Sequence, residues 1–211
     1  MHKIISACLL AICTTVSGLQ ASAQSAIPEP TPENSISEDT LSEVESTQET
    51  GFYKGLRERD FSLGYARRLG FSRFDDRTRA PFVTIVPRWG RFRSPKQEIL
   101  YEVPITIFTQ PDTKVGISAN ILFRQYLSSR KKVTPFVEAG PGLMITNSQV
   151  REISGSLQFV LQSGAGVRVR QNENTDWIVA LRWYHLSNAG MNYPNTGINN
   201  ALLTIGYSRL F

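Results

Sequence analysis

The sequence predicts an all-β fold, an eight-stranded antiparallel up-and-down transmembrane β-barrel, and three observations predict it. From about Asp60 onward apolar and polar residues alternate with period two, and no stretch sustains a 3.6-residue apolar stripe. The alternation falls into segments of roughly ten residues separated by turn chemistry, the length a membrane-crossing strand needs. The polar face of these segments is rich in glycine and carries isolated charges of both signs, as the crowded lumen of a small barrel requires.

The segments run over 60–70, 80–90, 97–109, 113–127, 133–146, 156–170, 176–187 and 199–211. Turns at Ser94-Pro95-Lys96, Gln110-Pro111-Asp112, 128–132 and 171–175 separate them, through residues that favour turns. In 156–170, Leu157, Phe159, Leu161, Ala165, Val167 and Val169 share one face, and Gln158, Gln162, Gly164, Gly166, Arg168 and Arg170 the other. In 113–127, Val115, Ile117, Ala119, Ile121 and Phe123 oppose Ser118, Asn120, Arg124 and Tyr126. Glu102, Glu138, Arg124, Arg168 and Arg182 are spaced to pair with one another inside. A soluble sandwich also alternates, but the glycine-rich, charge-bearing face favours a lumen. The last segment carries Leu203, Ile205, Tyr207 and the terminal Phe211 on one face, interrupted by Arg209, and resembles the C-terminal strand of bacterial outer-membrane proteins. Eight strands leave an interior that side chains fill, which disfavours an open porin.

The remaining chain divides into residues 1–23, a signal peptide, and 24–50, a disordered acidic tail, before the barrel of 51–211. Lys3 followed by an apolar run and Ala21-Ser22-Ala23 has the form of a cleaved secretory signal, so export to the cell outer membrane of a Gram-negative bacterium is expected. The tail holds seven acids, no base and no aromatic residue. The barrel then holds 22 Lys and Arg against 11 Asp and Glu, a balance that suits an anionic membrane surface. Nucleic acid is not an expected partner of an exported chain. Cys8 and Cys13 both lie in the signal, and His185 is the only histidine after it. Thiol chemistry, a disulfide and a zinc site of the usual N/S type are thereby excluded, and no cofactor or metal is expected.

His185 and Ser187 stand two residues apart in a strand, hence on one face. A base and a hydroxyl so aligned suit nucleophilic catalysis. With both termini periplasmic, the seventh strand ends at the outer leaflet. Its odd face reads Trp177, Val179, Leu181, Trp183, His185, Ser187, so the pair continues the lipid-facing set. Reactive groups on the outside of a barrel imply a lipid substrate.

The run R-W-Y-H-L-S-N-A-G at 182–190, followed by P-N-T-G-I-N at 194–199, resembles the signature of the lipid A 3-O-deacylase family. P-F-V-E-A-G-P-G at 135–142 and F-V-L-Q-S-G-A-G-V-R at 159–168 are similar to that family's central strands. The resemblance implies an outer-membrane serine esterase that removes the acyl chain at position 3 of lipid A, with lipopolysaccharide in the outer leaflet as its partner. It implies Ser187 as nucleophile and His185 as general base, with Asn195 and the backbone N–H around Gly190 meeting the oxyanion. The family's active-site glutamate falls at Asn199 here, and no Asp or Glu follows Trp177. An amide oxygen can accept the imidazole N–H but does not stabilise imidazolium as a carboxylate does; in serine proteases the Asp-to-Asn change costs about 10⁴ in rate. Three readings stand open: a slower or differently tuned hydrolase, an acid supplied from another outer loop (Asp75, Asp76 or Glu152), and a non-catalytic structural or lipid-binding barrel with a degenerated site. Homodimerisation is also open.

Overall fold

A computed structural model of the protein describes residues 51–68, 80–110, 112–150 and 153–211. The expected signal peptide and acidic tail, and the three acids Asp75, Asp76 and Glu152, lie outside the described residues.

Among the described residues nine strands form: β1 (Arg57–Arg68), β2 (Phe82–Ser94), β3 (Gln97–Glu102), β4 (Ile105–Phe108), β5 (Lys114–Tyr126), β6 (Val133–Thr146), β7 (Leu157–Arg170), β8 (Thr175–Ser187) and β9 (Ile198–Leu210). Every pairing is antiparallel and, apart from β3 and β4, each strand pairs with its sequence neighbours; β1 pairs with both β2 and β9, which closes the sheet. The expected third segment, 97–109, is two strands rather than one. The ladder is interrupted at Val103-Pro104, where proline offers no N–H. Because β3 and β4 both lie between β2 and β5, they are two halves of one stave, and the barrel has eight.

Which face turns inward follows from the side chains. Phe61, Leu63, Tyr65, Ile117, Phe123, Leu143, Leu181 and Leu203 are exposed on the outside, while Arg88, Arg124, Arg168 and Arg182 are fully buried. This inverts a soluble barrel and forms an outward apolar band, the arrangement a lipid solvent selects. The buried guanidiniums are matched by carboxylates. Arg182 bonds Glu138 at 2.6 Å and Glu102 at 3.0 Å. Arg88 joins Glu102 at 2.6 Å to Asp60 at 3.2 Å. Arg124 reaches Glu138 at 2.9 Å and Glu98 at 3.4 Å. Arg168 pairs with Glu58 and, at 3.0 Å, with Asp176. The five lumenal charges expected to pair inside do so, joined by acids from β1, β3 and β8.

Apolar clusters cap this charged layer at both ends. Phe82, Phe108, Met144, Val150, Ile153, Tyr184, Leu186 and Ile198 fill the end nearest the β8–β9 loop. Phe52, Phe92, Tyr126, Phe136 and Leu210 fill the other. A cavity of about 10 Å³ among Thr84, Glu102, Asn120, Gln162 and Arg182 leaves room for about one water. The interior is a packed core, in agreement with the expectation for eight strands.

Candidate active site

The site is built where β8 ends and β9 begins. Both strands alternate regularly, so His185 and Ser187 keep the outward face while Tyr184 and Leu186 pack into the upper core. Across the β8–β9 ladder His185 faces Asn199 directly. His185 Nδ1 and Asn199 Oδ1 are 2.9 Å apart. Trp183, two residues earlier on the same face, donates its indole Nε1–H to the same oxygen at 3.1 Å. The Trp183 and His185 rings stack at 5.5 Å with an interplanar angle of 22°.

These contacts fix the chemistry of the amide. An indole N–H only donates, so the Asn199 group facing Trp183 is the carbonyl oxygen and not the NH₂. The same oxygen faces Nδ1, which must then carry the proton. The Nε2 lone pair is left free, the tautomer a general base requires. An orientation that an amide alone leaves ambiguous is set by the neighbouring tryptophan. Sequence reasoning counted Trp183 only among the lipid-facing residues; its i−2 spacing from His185 on one strand face was the available signal.

Ser187 is half-buried and pairs in register with Phe159 of β7, and its hydroxyl makes no hydrogen bond among the described residues. Two residues of strand separate it from His185, a Cα distance of roughly 7 Å. The ring is held toward Asn199 and Trp183, and Nε2 meets no partner among the described residues. The structure thus brings His185 and Asn199 into contact and sets Ser187 on the same face without closing the hydroxyl–imidazole bond. Gly197 lies against this ring with φ +67; a Cβ there would stand 3.2 Å from His185 Cε1. Glycine therefore serves both backbone conformation and close approach.

The loop 188–197 turns on Asn188. Its side chain is fully buried. Its Nδ2 donates to Ser154 O at 3.0 Å and Asn192 O at 2.8 Å, and its Oδ1 accepts the Gly190 N–H at 2.9 Å. Its own N–H donates to Asn195 Oδ1 at 3.2 Å. Asn195 bridges Ile153, and Ser154 N–H donates to Pro194 O at 2.9 Å, so the loop is pinned to the neighbouring outer loop. Two consequences follow for the expected oxyanion donors. The Gly190 N–H is engaged by Asn188, at a turn where Ala189 and Gly190 both take positive φ. Asn195 accepts the Asn188 N–H at its Oδ1, and its Nδ2 makes no hydrogen bond among the described residues.

The outward neighbours of the site are apolar. Phe159 and Leu161 of β7 stand opposite Ser187 and His185, and Leu203 follows on β9. Among the described residues no group of three or more His, Cys, Asp or Glu is arranged to hold a metal ion.

Fold and outward apolar wall together define a transmembrane β-barrel of the outer-membrane type. The family model for the lipid A 3-O-deacylase, PagL, matches residues 61–208, and the chain belongs to that family. Among solved structures, the outer-membrane enzyme PagL is similar at 21% identity and a TM-score of 0.53, covering 71% of this chain and 97% of PagL. Neisserial surface protein A is similar at 14% identity and a TM-score of 0.52, covering 74% of this chain and 96% of the neighbour. These likenesses are of fold. No curated protein matches the chain.

Proposed function

We propose that the protein is an outer-membrane serine esterase that removes the ester-linked acyl chain at position 3 of lipid A. The observation that carries the proposal is the Asn199–His185 contact on the outer wall, with Ser187 on the same face and lipid-facing Phe159 beside it. Only an ester borne by a membrane lipid comes to a site in that position.

The steps use the chain's own groups. Ser187 Oγ attacks the ester carbonyl carbon, and its proton passes to His185 Nε2, the nitrogen left unprotonated by the Asn199 contact. The tetrahedral oxyanion accepts a hydrogen bond from Asn195 Nδ2, held by the Asn188 turn. The Gly190 N–H contributes only if its bond to Asn188 opens. Collapse breaks the bond to the sugar oxygen, which takes the proton from His185. Water, activated by the same imidazole, then hydrolyses the acyl-enzyme and frees the hydroxyacyl chain. The open Ser187–His185 distance accords with a site that tightens when substrate enters, as catalytic hydrogen bonds often do. Asn199 holds the imidazole in its tautomer but adds no charge, so the reading is of a slow hydrolase.

Mass spectrometry of lipid A from membranes carrying the protein tests this. Wild type removes one hydroxyacyl chain, and Ser187→Ala removes none. Unchanged chain loss with Ser187→Ala excludes Ser187 as nucleophile, and no chain loss with wild type supports the non-catalytic barrel instead.

A further inference from the structure

The outer wall is almost free of charge. Among the described strand residues that point outward, none is acidic, and the cations are confined to β9, β1 and β2. Arg57, Arg59, Arg91, Arg93 and Arg209 cluster at the end of these strands away from the candidate active site, and only Arg67 lies at the other end. Arg57 faces Arg91, and Arg59 faces Arg209, in direct cross-strand register. Directly opposed side chains have Cβ atoms about 5 Å apart, and like charges there destabilise a sheet. Arg59 lies 5.2 Å over the Phe211 ring. None of the five makes an ion pair with another described residue. Four guanidiniums meeting in two like-charged pairs are a feature that an anion would neutralise.

Depth identifies the anion. Trp89, Tyr101, Trp177 and Tyr207 are exposed on the same end of the wall, and Trp177 packs edge-on against Tyr207 at 5.4 Å. Such aromatic residues mark the headgroup level of a bilayer. Arg91 and Arg93 follow Trp89 by roughly 7 and 14 Å along the strand, which sets them at and just beyond that level. The connections at this end, 95–96, 127–132 and 171–174, are all short, whereas at the opposite end 69–81, 147–156 and 188–197 are longer and 109–113 alone is short. Short turns mark the periplasmic side. The cluster therefore faces the inner leaflet, whose anions are the phosphodiesters of glycerophospholipids, and arginine binds phosphate through a paired donor fork.

We propose that Arg57, Arg59, Arg91, Arg93 and Arg209 form a binding site for the headgroup phosphate of an anionic glycerophospholipid in the inner leaflet, across the β9–β1–β2 seam that closes the barrel. The site is separate from the hydrolytic one and stands whether or not that proposal holds.

Native mass spectrometry of the purified protein in neutral detergent tests it, with phosphatidylglycerol and phosphatidylcholine of identical acyl chains. One arginine near an anionic lipid surface contributes roughly a fivefold gain in affinity. Wild type should prefer phosphatidylglycerol by at least about tenfold, by the same scale. The variant Arg57→Gln/Arg91→Gln/Arg93→Gln/Arg209→Gln should lose that preference, and the four Arg→Lys changes should restore part of it. Millimolar inorganic phosphate should not displace the lipid. A heat-modifiable gel shift establishes that each variant is folded. Equal preference in wild type and the glutamine variant overturns the proposal, as does loss of equal size in Lys131→Gln/Lys132→Gln on another turn. Displacement by free phosphate also overturns it. A patch already neutralised by an acidic segment of the chain would show no preference, and that outcome overturns it too.

Discussion

Asn199→Asp puts the proposed mechanism to its sharpest test. The change is isosteric. The oxygen 2.9 Å from His185 Nδ1 and 3.1 Å from Trp183 Nε1 stays in place, so no packing or tautomer should change. What changes is charge, because in the transition state His185 carries a proton and a carboxylate now faces it. Two unit charges about 4 Å apart attract by roughly 4 kcal/mol at the effective dielectric of a protein surface. Delocalisation over the ring and partial exposure reduce this to roughly 2–4 kcal/mol, or about 30- to 1000-fold in rate. That gain falls short of the 10⁴ lost when a serine protease loses its Asp, because part of that loss comes from a wrong tautomer. Here Trp183 already prevents that error. The assay is single-turnover release of the hydroxyacyl chain from lipid A in detergent, wild type against variant. A folded Asn199→Asp protein that is no faster than wild type would refute the reasoning.

Two further outcomes follow from the same geometry and from the lumen. Trp183→Phe removes the donor that orients the Asn199 amide. With about 1 kcal/mol of hydrogen bond lost, the amide flips in a substantial fraction of molecules, and the single-turnover rate should fall by about two- to tenfold. The same substitution in the Asn199→Asp background, where both oxygens accept, should cost less, and an equal cost would argue against an orienting role. Glu138→Gln leaves Arg124 and Arg182 short of a buried carboxylate they share at 2.9 and 2.6 Å. Breaking such a pair costs about 3–5 kcal/mol, read as a lower urea midpoint for unfolding from lipid vesicles; an unchanged midpoint would show that the lumen network adds nothing to stability.

Much of the fold was legible because a strand's signal is local. Period two and turn residues lie within ten positions of each other, and the observed strands begin and end within a few residues of the segments they predict. The inward and outward faces were legible for a related reason, since a lumenal Arg or Glu and a lipid-facing Leu differ in the side chain itself. The Val103-Pro104 interruption was visible as a proline, but its effect depends on which neighbour's ladder lacks a donor. His185 and Ser187 needed only their spacing, and Asn199 followed from the hairpin that brings β9 back beside β8.

Sequence alone therefore determined the barrel, the face on which His185 and Ser187 lie and the amide standing where an acid was expected. Tertiary structure alone decided what that amide does. Trp183 reaches Asn199 across a strand pair, and the Asn188 side chain, which takes up the Gly190 N–H, is held by Ser154 of a distant connection. Each of these is a contact between residues whose own identities are compatible with ordinary lipid-facing or turn positions. Such contacts are set by register and loop packing, which no local pattern of residues encodes.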